Sequence, residues 1–359
     1  PIPGLDQTPF FTNETVFDNT VLPQHLIIIG GGPIGLEMAQ AHRRLGAQVT
    51  VVEAKQILPK DDPEAVAIVR ESLVRDGVTI REGAAVTAVA KTGDGVAVTI
   101  TLDGKNETVA GSHLLLAVGR APNVADLNLE AAGVKYSRRG VEVDAGLRTS
   151  NKRIYAIGDV AGGLQFTHVA GYHAGIIIRR LLFMVPAKTD TRAIPWCTYT
   201  DPELAQVGLT EAQAREKGLS VGVSRWPLHD NDRAQAERET HGLAKIVVSK
   251  GRVVGATIVA PHAGDLILPW VLAVSQKTKL TTMAGIVAAY PTFSEISKRA
   301  AGAYFRGRYA DVEAVRELEP LPATEGELRN MASALGADPA TAIVIGEAAT
   351  ETAVKQASL

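Results

Sequence analysis

Apolar and polar positions along this chain change their rhythm several times, and the changes mark its elements. Leu26 to Ile29 is an unbroken apolar run, which predicts a strand buried on both faces of a parallel sheet. A helical stretch follows from Pro33 to Leu45 and stops at Gly46. A second strand, Gln48 to Val52, then delivers Glu53. Ala65, Val66, Val69 and Leu73 share one side of a predicted helix over Glu64 to Arg75, and Val78 to Arg81 reads as a short strand. Ala84 to Lys91 and Val96 to Thr101 alternate around Thr92-Gly93-Asp94-Gly95, the pattern of an antiparallel hairpin. Leu114 to Val118 is another buried parallel strand, ended by the loop Gly119 to Asn123. Ile154 to Ile157 reads as a short strand turning at Gly158-Asp159. Thr167 reads as the N-cap of a helix from His168 to Met184.

Near residue 190 the pattern changes. Strands are predicted at Ile194 to Tyr199, Ala205 to Gly208, Ser220 to Trp226, Leu243 to Ser249 and Val253 to Val259. Thr210 to Gln213 has the spacing of a capping box for a short helix that stops at Gly218. Helices follow at Asp265 to Gln276, Thr281 to Ala289 and Ser294 to Tyr304. Strands then helices is an α+β order, unlike the alternating first half. The tail after Arg308 mixes charged and Ala-rich segments, with partial helix expected over Ala340 to Val354.

Composition narrows the possibilities. The chain has 359 residues, 46% hydrophobic and 21% charged, which fits a globular protein of more than one domain. A net charge of -2 gives no electrostatic case for nucleic acid or an anionic membrane. No apolar run reaches the ~20 residues of a membrane span. The single cysteine, Cys197, excludes an internal disulfide and fits a reducing compartment, so a cytoplasmic location is expected.

Candidate chemistry centres on the first turn. Gly30, Gly32 and Gly35 have GxGxxG spacing between strand and helix. In such a turn the first glycine makes the bend, the second admits a pyrophosphate, and the third lets helix and strand pack closely. The helix start at Pro33 and Ile34, with Gly31 before it, would cradle the anion. Glu53 stands where an acid grips a ribose 2′-hydroxyl, and its charge would repel a 2′-phosphate, so NAD is expected over NADP. Loops at the carboxyl ends of parallel strands line the cofactor crevice, which brings in Gly119. Asp159 reads either as a turn residue or as a ligand contact. His168 and His173 read as structural. The polar cluster His229 to Arg233 lacks metal-ligand spacing and reads as a solvated loop, and no metal site is expected.

Several segments together resemble the pyridine nucleotide-disulfide oxidoreductases, whose members include dihydrolipoamide dehydrogenase, glutathione reductase and mercuric reductase. IIIGGGPIGLE with VTVVE resembles that family's NAD fingerprint, and LLLAVGRAPN its end-of-domain signature. TSNKRIYAIGDVAGG resembles its second flavin motif, and FTHVA the segment that follows near the flavin. TYTDPELAQVGLTEAQA and PTFSE resemble its dimerisation domain. The resemblance runs colinearly from residue 1 to about 306. It implies an α/β fold: a Rossmann-like NAD-binding domain over 24–143, a partial FAD-binding domain over 144–190 and an α+β dimerisation domain over 191–307. A connector over 1–23 and an extension over 308–359 flank them.

The resemblance also implies roles. Gly158 and Asp159, with Thr167, His168, Val169 and Ala170, would contact FAD, and Glu37 would lie near the nicotinamide, unless it is only a solvated carboxylate. Tyr290 stands where disulfide-reducing members carry the catalytic His of His-Pro-Thr-x-x-Glu, with Glu295 as the supporting acid. Tyr290 reads equally as an interface aromatic, and Glu295 as a helix-starting acid. The family's N-terminal flavin half, with its own GxGxxG and CxxxxC, has no counterpart in this sequence. The expectation is therefore an NAD-binding, dimerising portion of a flavin-dependent enzyme that passes hydride from NADH to FAD and on to a small-molecule acceptor. It would be inactive alone and isolated without tightly bound flavin. The rival is a cysteine-independent flavoprotein such as a soluble transhydrogenase or NADH oxidase.

Overall fold

The first half is organised by strand β1 (His25–Ile29), whose side chains alternate between two cores. The computed structural model describes residues 2–306, and residues 1–304 form one compact unit. The expected tail over 308–359, with its partial helix, lies outside the described residues. After β1 come α1 (Pro33–Arg44), β2 (Gln48–Glu53), α2 (Pro63–Arg75) and β3 (Thr79–Glu82). A three-stranded antiparallel sheet follows, β4 (Ala85–Thr92), β5 (Gly95–Leu102) and β6 (Lys105–Gly111), and then β7 (His113–Leu116). The central sheet is parallel, in order β3-β2-β1-β7, with Ile28 opposite Val51 on one side and Leu115 on the other. This is the Rossmann-like arrangement the apolar runs predict.

Leu26 and Ile28 point to the helix side and pack with Leu36 and Ala39 of α1 and Val66, Val69 and Leu73 of α2. Ile27 and Ile29 point the other way, onto Val89, Val96, Val98 and Ile100 of the antiparallel sheet. Period-2 alternation thus gives the parallel sheet a helical layer on one face and a small sheet on the other. The segment before β1 is not a bare connector. It carries 3-10 turns at Leu5–Gln7 and Val16–Asp18, and Phe11 makes a parallel bridge to Leu115 of β7.

Between the halves lie a two-stranded pair, β8 (Tyr136–Ser137) with β9 (Gly140–Val141), a 3-10 turn at Gly158–Ala161, and α3 (Thr167–Leu181). Ile154 to Ile157 does not form the expected strand. Its one ladder contact is an isolated bridge from Tyr155 to Arg148, so its apolar side chains fill a loop core rather than a sheet. Thr167 is not the N-cap of α3 either. Phe166 holds that position without a side-chain bond, and the helix ends at Leu181, short of Met184.

The C-terminal region is a five-stranded antiparallel sheet, in order β10-β11-β14-β13-β12, with short helices around it. Its elements are β10 (Trp196–Thr198), β11 (Glu203–Gly208), α4 (Glu211–Glu216), β12 (Val221–Pro227), α5 (Asp232–Glu237), β13 (Leu243–Ser249), β14 (Arg252–Ala260), α6 (Ala263–Leu266), α7 (Leu268–Ser275), α8 (Leu280–Ala284) and α9 (Glu295–Arg306). The capping box at Thr210 forms as the spacing predicts. The helix expected over Asp265 to Gln276 is divided into α6 and α7, and the one expected to reach Ala289 stops at Ala284. The cluster His229 to Arg233 is not all loop, because Asn231 caps α5 through the Ala234 N–H at 3.0 Å. Leu204 and Val259 of this sheet join the core around α1 and α2, so the two halves share buried apolar contact.

Candidate functional site

The turn between β1 and α1 has the geometry that each glycine position requires. Gly30 has φ 116°, and a Cβ there would lie 2.4 Å from the Ala117 carbonyl oxygen. At Gly35 a Cβ would fall 2.0 Å from the Gly30 carbonyl oxygen, so helix and strand approach as closely as backbone allows. At Gly32 a Cβ would meet nothing within 4 Å. That open side is what a bound pyrophosphate needs, and the residues fit a dinucleotide on this ground. Gly32 is the N-cap of α1 and gives no side-chain bond, while Pro33 fills the first turn. The first-turn amides of Ile34 and Gly35 keep their donor capacity for an anion, beside the positive end of the helix dipole.

Glu53 closes β2 against this turn. One carboxylate oxygen accepts the Gly31 N–H at 2.8 Å and the other the Lys55 N–H at 2.9 Å. Each oxygen has a second lone pair, so the carboxylate is oriented but still able to accept from a sugar hydroxyl. A Cβ on Gly31 would lie 2.8 Å from Ile57 and 3.0 Å from the Glu53 Cβ, so the acid and its loop seat directly on the turn. Gly119, beyond β7, has φ 112° and open space around it.

Glu37, one turn into α1, does not stand free. Its Oε1 accepts the Tyr199 N–H at 2.9 Å, just past β10, and burial pushes its carboxyl above the ordinary range. Around the same corner lies Cys197, whose thiol is raised by burial first and by the Glu203 and Glu37 carboxylates next. Such a thiol stays protonated and is a poor nucleophile.

The expected flavin-contacting residues gather around the 3-10 turn before α3. Gly158 has φ 65°, and its N–H donates to His173 Nδ1 at 3.1 Å in a buried contact. His173 therefore presents Nδ1 as an acceptor, and burial lowers its pKa. Asp159 is exposed beside it, Val169 is buried, and Ala170 packs where a Gly158 side chain would go. His168 stacks on Phe166 and meets the Pro195 carbonyl at 2.9 Å. Thr167 is exposed at the helix start.

Tyr290 lies far along the chain and is exposed. Its hydroxyl donates to Asp232 Oδ2 at 2.9 Å, and that bond raises its pKa above the ordinary phenol value. Glu295 begins α9. Asp232 belongs to the polar cluster His229 to Arg233, which pattern alone read as a solvated loop, so its bond to Tyr290 was not foreseen.

The architecture and turn define a Rossmann-like α/β unit joined to an antiparallel-sheet region. Two profiles match the chain: pyridine nucleotide-disulphide oxidoreductase over residues 1–174, and the dimerisation domain of the same family over 194–301. A mercuric reductase from Staphylococcus aureus is 38% identical over 304 residues, 84% of this chain and 56% of that protein. A dihydrolipoyl dehydrogenase from Geobacillus stearothermophilus is 37% identical over 284 residues, 78% of this chain and 60% of the relative. Among solved structures, the HOCl-induced flavoprotein disulfide reductase RclA from Escherichia coli superposes with TM-score 0.78 at 31% identity, covering 84% of this chain and 70% of RclA. LpdA from Mycobacterium tuberculosis gives TM-score 0.76 at 34% identity, covering 81% of this chain and 64% of LpdA. The chain belongs to the pyridine nucleotide-disulfide oxidoreductase family. It spans little more than half the length of the mercuric reductase it matches. No helix among the described residues is long and apolar enough to cross a membrane.

Proposed function

We propose that this chain binds NADH across the β1–α1 turn and forms the nucleotide-binding and dimerising portion of a flavin-dependent oxidoreductase. In the intact enzyme hydride would pass from NADH to FAD and then to a disulfide or another small acceptor. The observation that carries this reading is the seating of Glu53 on Gly31, beside an open Gly32. Gly30, Gly31, Gly32, Pro33, Ile34 and Gly35 would hold the pyrophosphate side, Glu53 the ribose, and Gly119 the adenine side. Glu37 is near enough to this turn to line the nicotinamide end. FAD, when bound, supplies the two-electron relay. Asp159, with its exposed carboxylate, would hold part of it, helped by Gly158 and the segment Thr167 to Ala170. With one GxGxxG and one cysteine in the sequence, this chain is proposed to be inactive alone. A cytoplasmic location and a homodimer complete the proposal.

The test is calorimetric titration of the chain with NADH and NADPH. Glu53→Ala should weaken NADH more than NADPH, because a charge-assisted hydrogen bond to the 2′-hydroxyl, ~1.5–3 kcal/mol, is lost only for NADH. Equal loss for both nucleotides would remove the role given to Glu53.

A second reading is a flavoprotein that works without redox cysteines, such as a soluble transhydrogenase or NADH oxidase. A single cysteine and a tyrosine where disulfide-reducing members carry a catalytic His favour it. Assays of the intact enzyme with disulfide acceptors, against transhydrogenation and oxygen reduction, separate the two readings.

A further inference from the structure

The glycine turn is walled by the segment that runs from Glu53 to the start of α2. Ile57 packs on Gly31, and the Leu58 N–H donates to the Gly31 carbonyl oxygen at 3.0 Å. The Ile57 N–H in turn donates to Glu82 Oε1 at 2.7 Å. Leu58 sits at φ 44° with its side chain 1% exposed. A bulky buried residue in the left-handed region is costly, and such a conformation persists only where its surroundings over-determine it.

What holds the far end of this wall comes from the other half of the chain. Trp196 on β10 donates its indole N–H to Asp61 Oδ1 at 2.7 Å. Lys245 on β13 donates to Asp62 Oδ2 at 2.8 Å, and the two side chains are 3% and 2% exposed. Asp62 also caps α2, accepting the Glu64 N–H at 3.0 Å. Lys245 is shared further with Glu64 at 2.6 Å and Glu211 at 3.0 Å, and Arg225 pairs with Glu64 at 2.7 Å. Lys245 and Arg225 thus meet Asp62, Glu64 and Glu211, with Arg215 completing the set on Glu211 at 2.8 Å. A buried lysine without these carboxylates would be strongly destabilising, so the contacts are obligatory rather than incidental.

We infer that Trp196 and Lys245 are positioning residues for the nucleotide turn: through Asp61 and Asp62 they hold the Lys55–Asp62 wall against Gly31, and so set affinity for the nucleotide. The inference rests on the NADH reading above. It links a region whose sequence points to subunit pairing to the binding strength of a turn more than 160 residues earlier in the chain. Neither residue needs to touch the ligand.

The experiment compares Trp196→Phe, Asp61→Ala, Asp61→Asn and Lys245→Met with the unsubstituted chain, far below their melting temperatures. NADH affinity is measured by calorimetry and Leu58 amide exchange by mass spectrometry or NMR. Losing one hydrogen bond of ordinary net worth should weaken NADH about fivefold in W196F and D61A. A variant combining W196F with D61A should lose no more than the worse single, since both remove the same bond. D61N keeps the acceptor oxygen and should retain affinity. Leu58 exchange should accelerate in W196F, D61A and K245M. Unchanged NADH affinity in folded W196F overturns the inference whatever the exchange shows, because the wall is then structural alone. If K245M fails to fold, W196F carries the test without altering charge. If the unsubstituted chain does not bind NADH, the proposed function falls by itself. The wall is then judged on exchange: faster Leu58 exchange in W196F supports its restraint by Trp196, and unchanged exchange overturns it.

Discussion

Glu64 shows how one side chain can serve two regions at once. It sits in the first turn of α2, pairs with Arg225 through both oxygens at 2.7 Å and accepts from Lys245. The Arg225 hydrogen bond, more than any other contact, holds its carboxyl at about 2, below the ordinary 4.5. A depressed folded-state pKa means stability that is complete above the unfolded value and lost as the pH falls through the folded one. The melting temperature should therefore drop as pH falls from 4.5 towards 2, and the drop should be shallower in Glu64→Gln. Scanning calorimetry across that range checks it. Glu64 is substantially exposed, so solvent screening keeps its share modest. Residues of this kind were only half legible. A helix-starting acid is visible in a sequence, but its partners Arg225 and Lys245 lie 161 and 181 residues away. The place of Glu53 at the end of β2, against the glycine turn, was by contrast legible because strand, glycines, helix and strand fix its offset from Gly30 within one local unit.

At the scale of elements, α1 joins more than its own sheet. Glu37, Gln40 and Arg44 lie at i, i+3 and i+7 and share one face. That face meets the segment Tyr199–Asp201. Gln40 is 4% exposed; its amide nitrogen donates to the Asp201 carbonyl and to Asp76, both at 2.9 Å, and its oxygen accepts the Asp201 N–H at 2.7 Å. Arg44 bonds Asp76 at 2.8 Å and Asp201 at 2.6 Å. Gln40→Ala should cost about 2–4 kcal/mol, because it strips the Asp201 N–H of its acceptor in a part-buried contact and leaves a cavity. A urea titration should show a lowered midpoint with unchanged slope. The periodicity that placed α1 also placed its apolar face, but it could not tell which polar residues were buried. The same limit explains other differences. β6 (Lys105–Gly111) has polar residues on its open face and lacks an apolar run, so only its pairing with β5 reveals it. Ile154 to Ile157 has the apolar content of a strand but no neighbouring strand to complete a ladder. The apolar runs at β1, β2 and β7 were legible because both faces of a parallel sheet are covered, which leaves no polar position to blur them.

At the scale of the whole molecule, the five-stranded sheet joins the core of α1 and α2 through Leu204 and Val259, and α7 packs on its strands β11 and β14. Trp270, Ala273 and Val274 of α7 are buried, whereas Leu268 and Leu272 are 68% and 62% exposed. Leucines at i and i+4 leave one apolar stripe uncovered on a helix whose inner face is already packed. The profile over 194–301 is that of a dimerisation domain, and a homodimer built on this stripe would cover it. Such an interface is self-complementary about a two-fold axis, so each leucine is removed from water on both copies. Covering a leucine is worth about 1.5–3 kcal/mol, and a glutamate in its place adds the cost of desolvating a charge. Replacing Leu268 and Leu272 together by Glu should therefore shift the chain from dimer to monomer in light scattering coupled to size exclusion. The melting temperature of that monomer should report only the loss of mass-action stabilisation, because Trp270, Ala273 and Val274 keep their packing. Dimeric behaviour retained in the double variant would place the subunit contact elsewhere on the molecule.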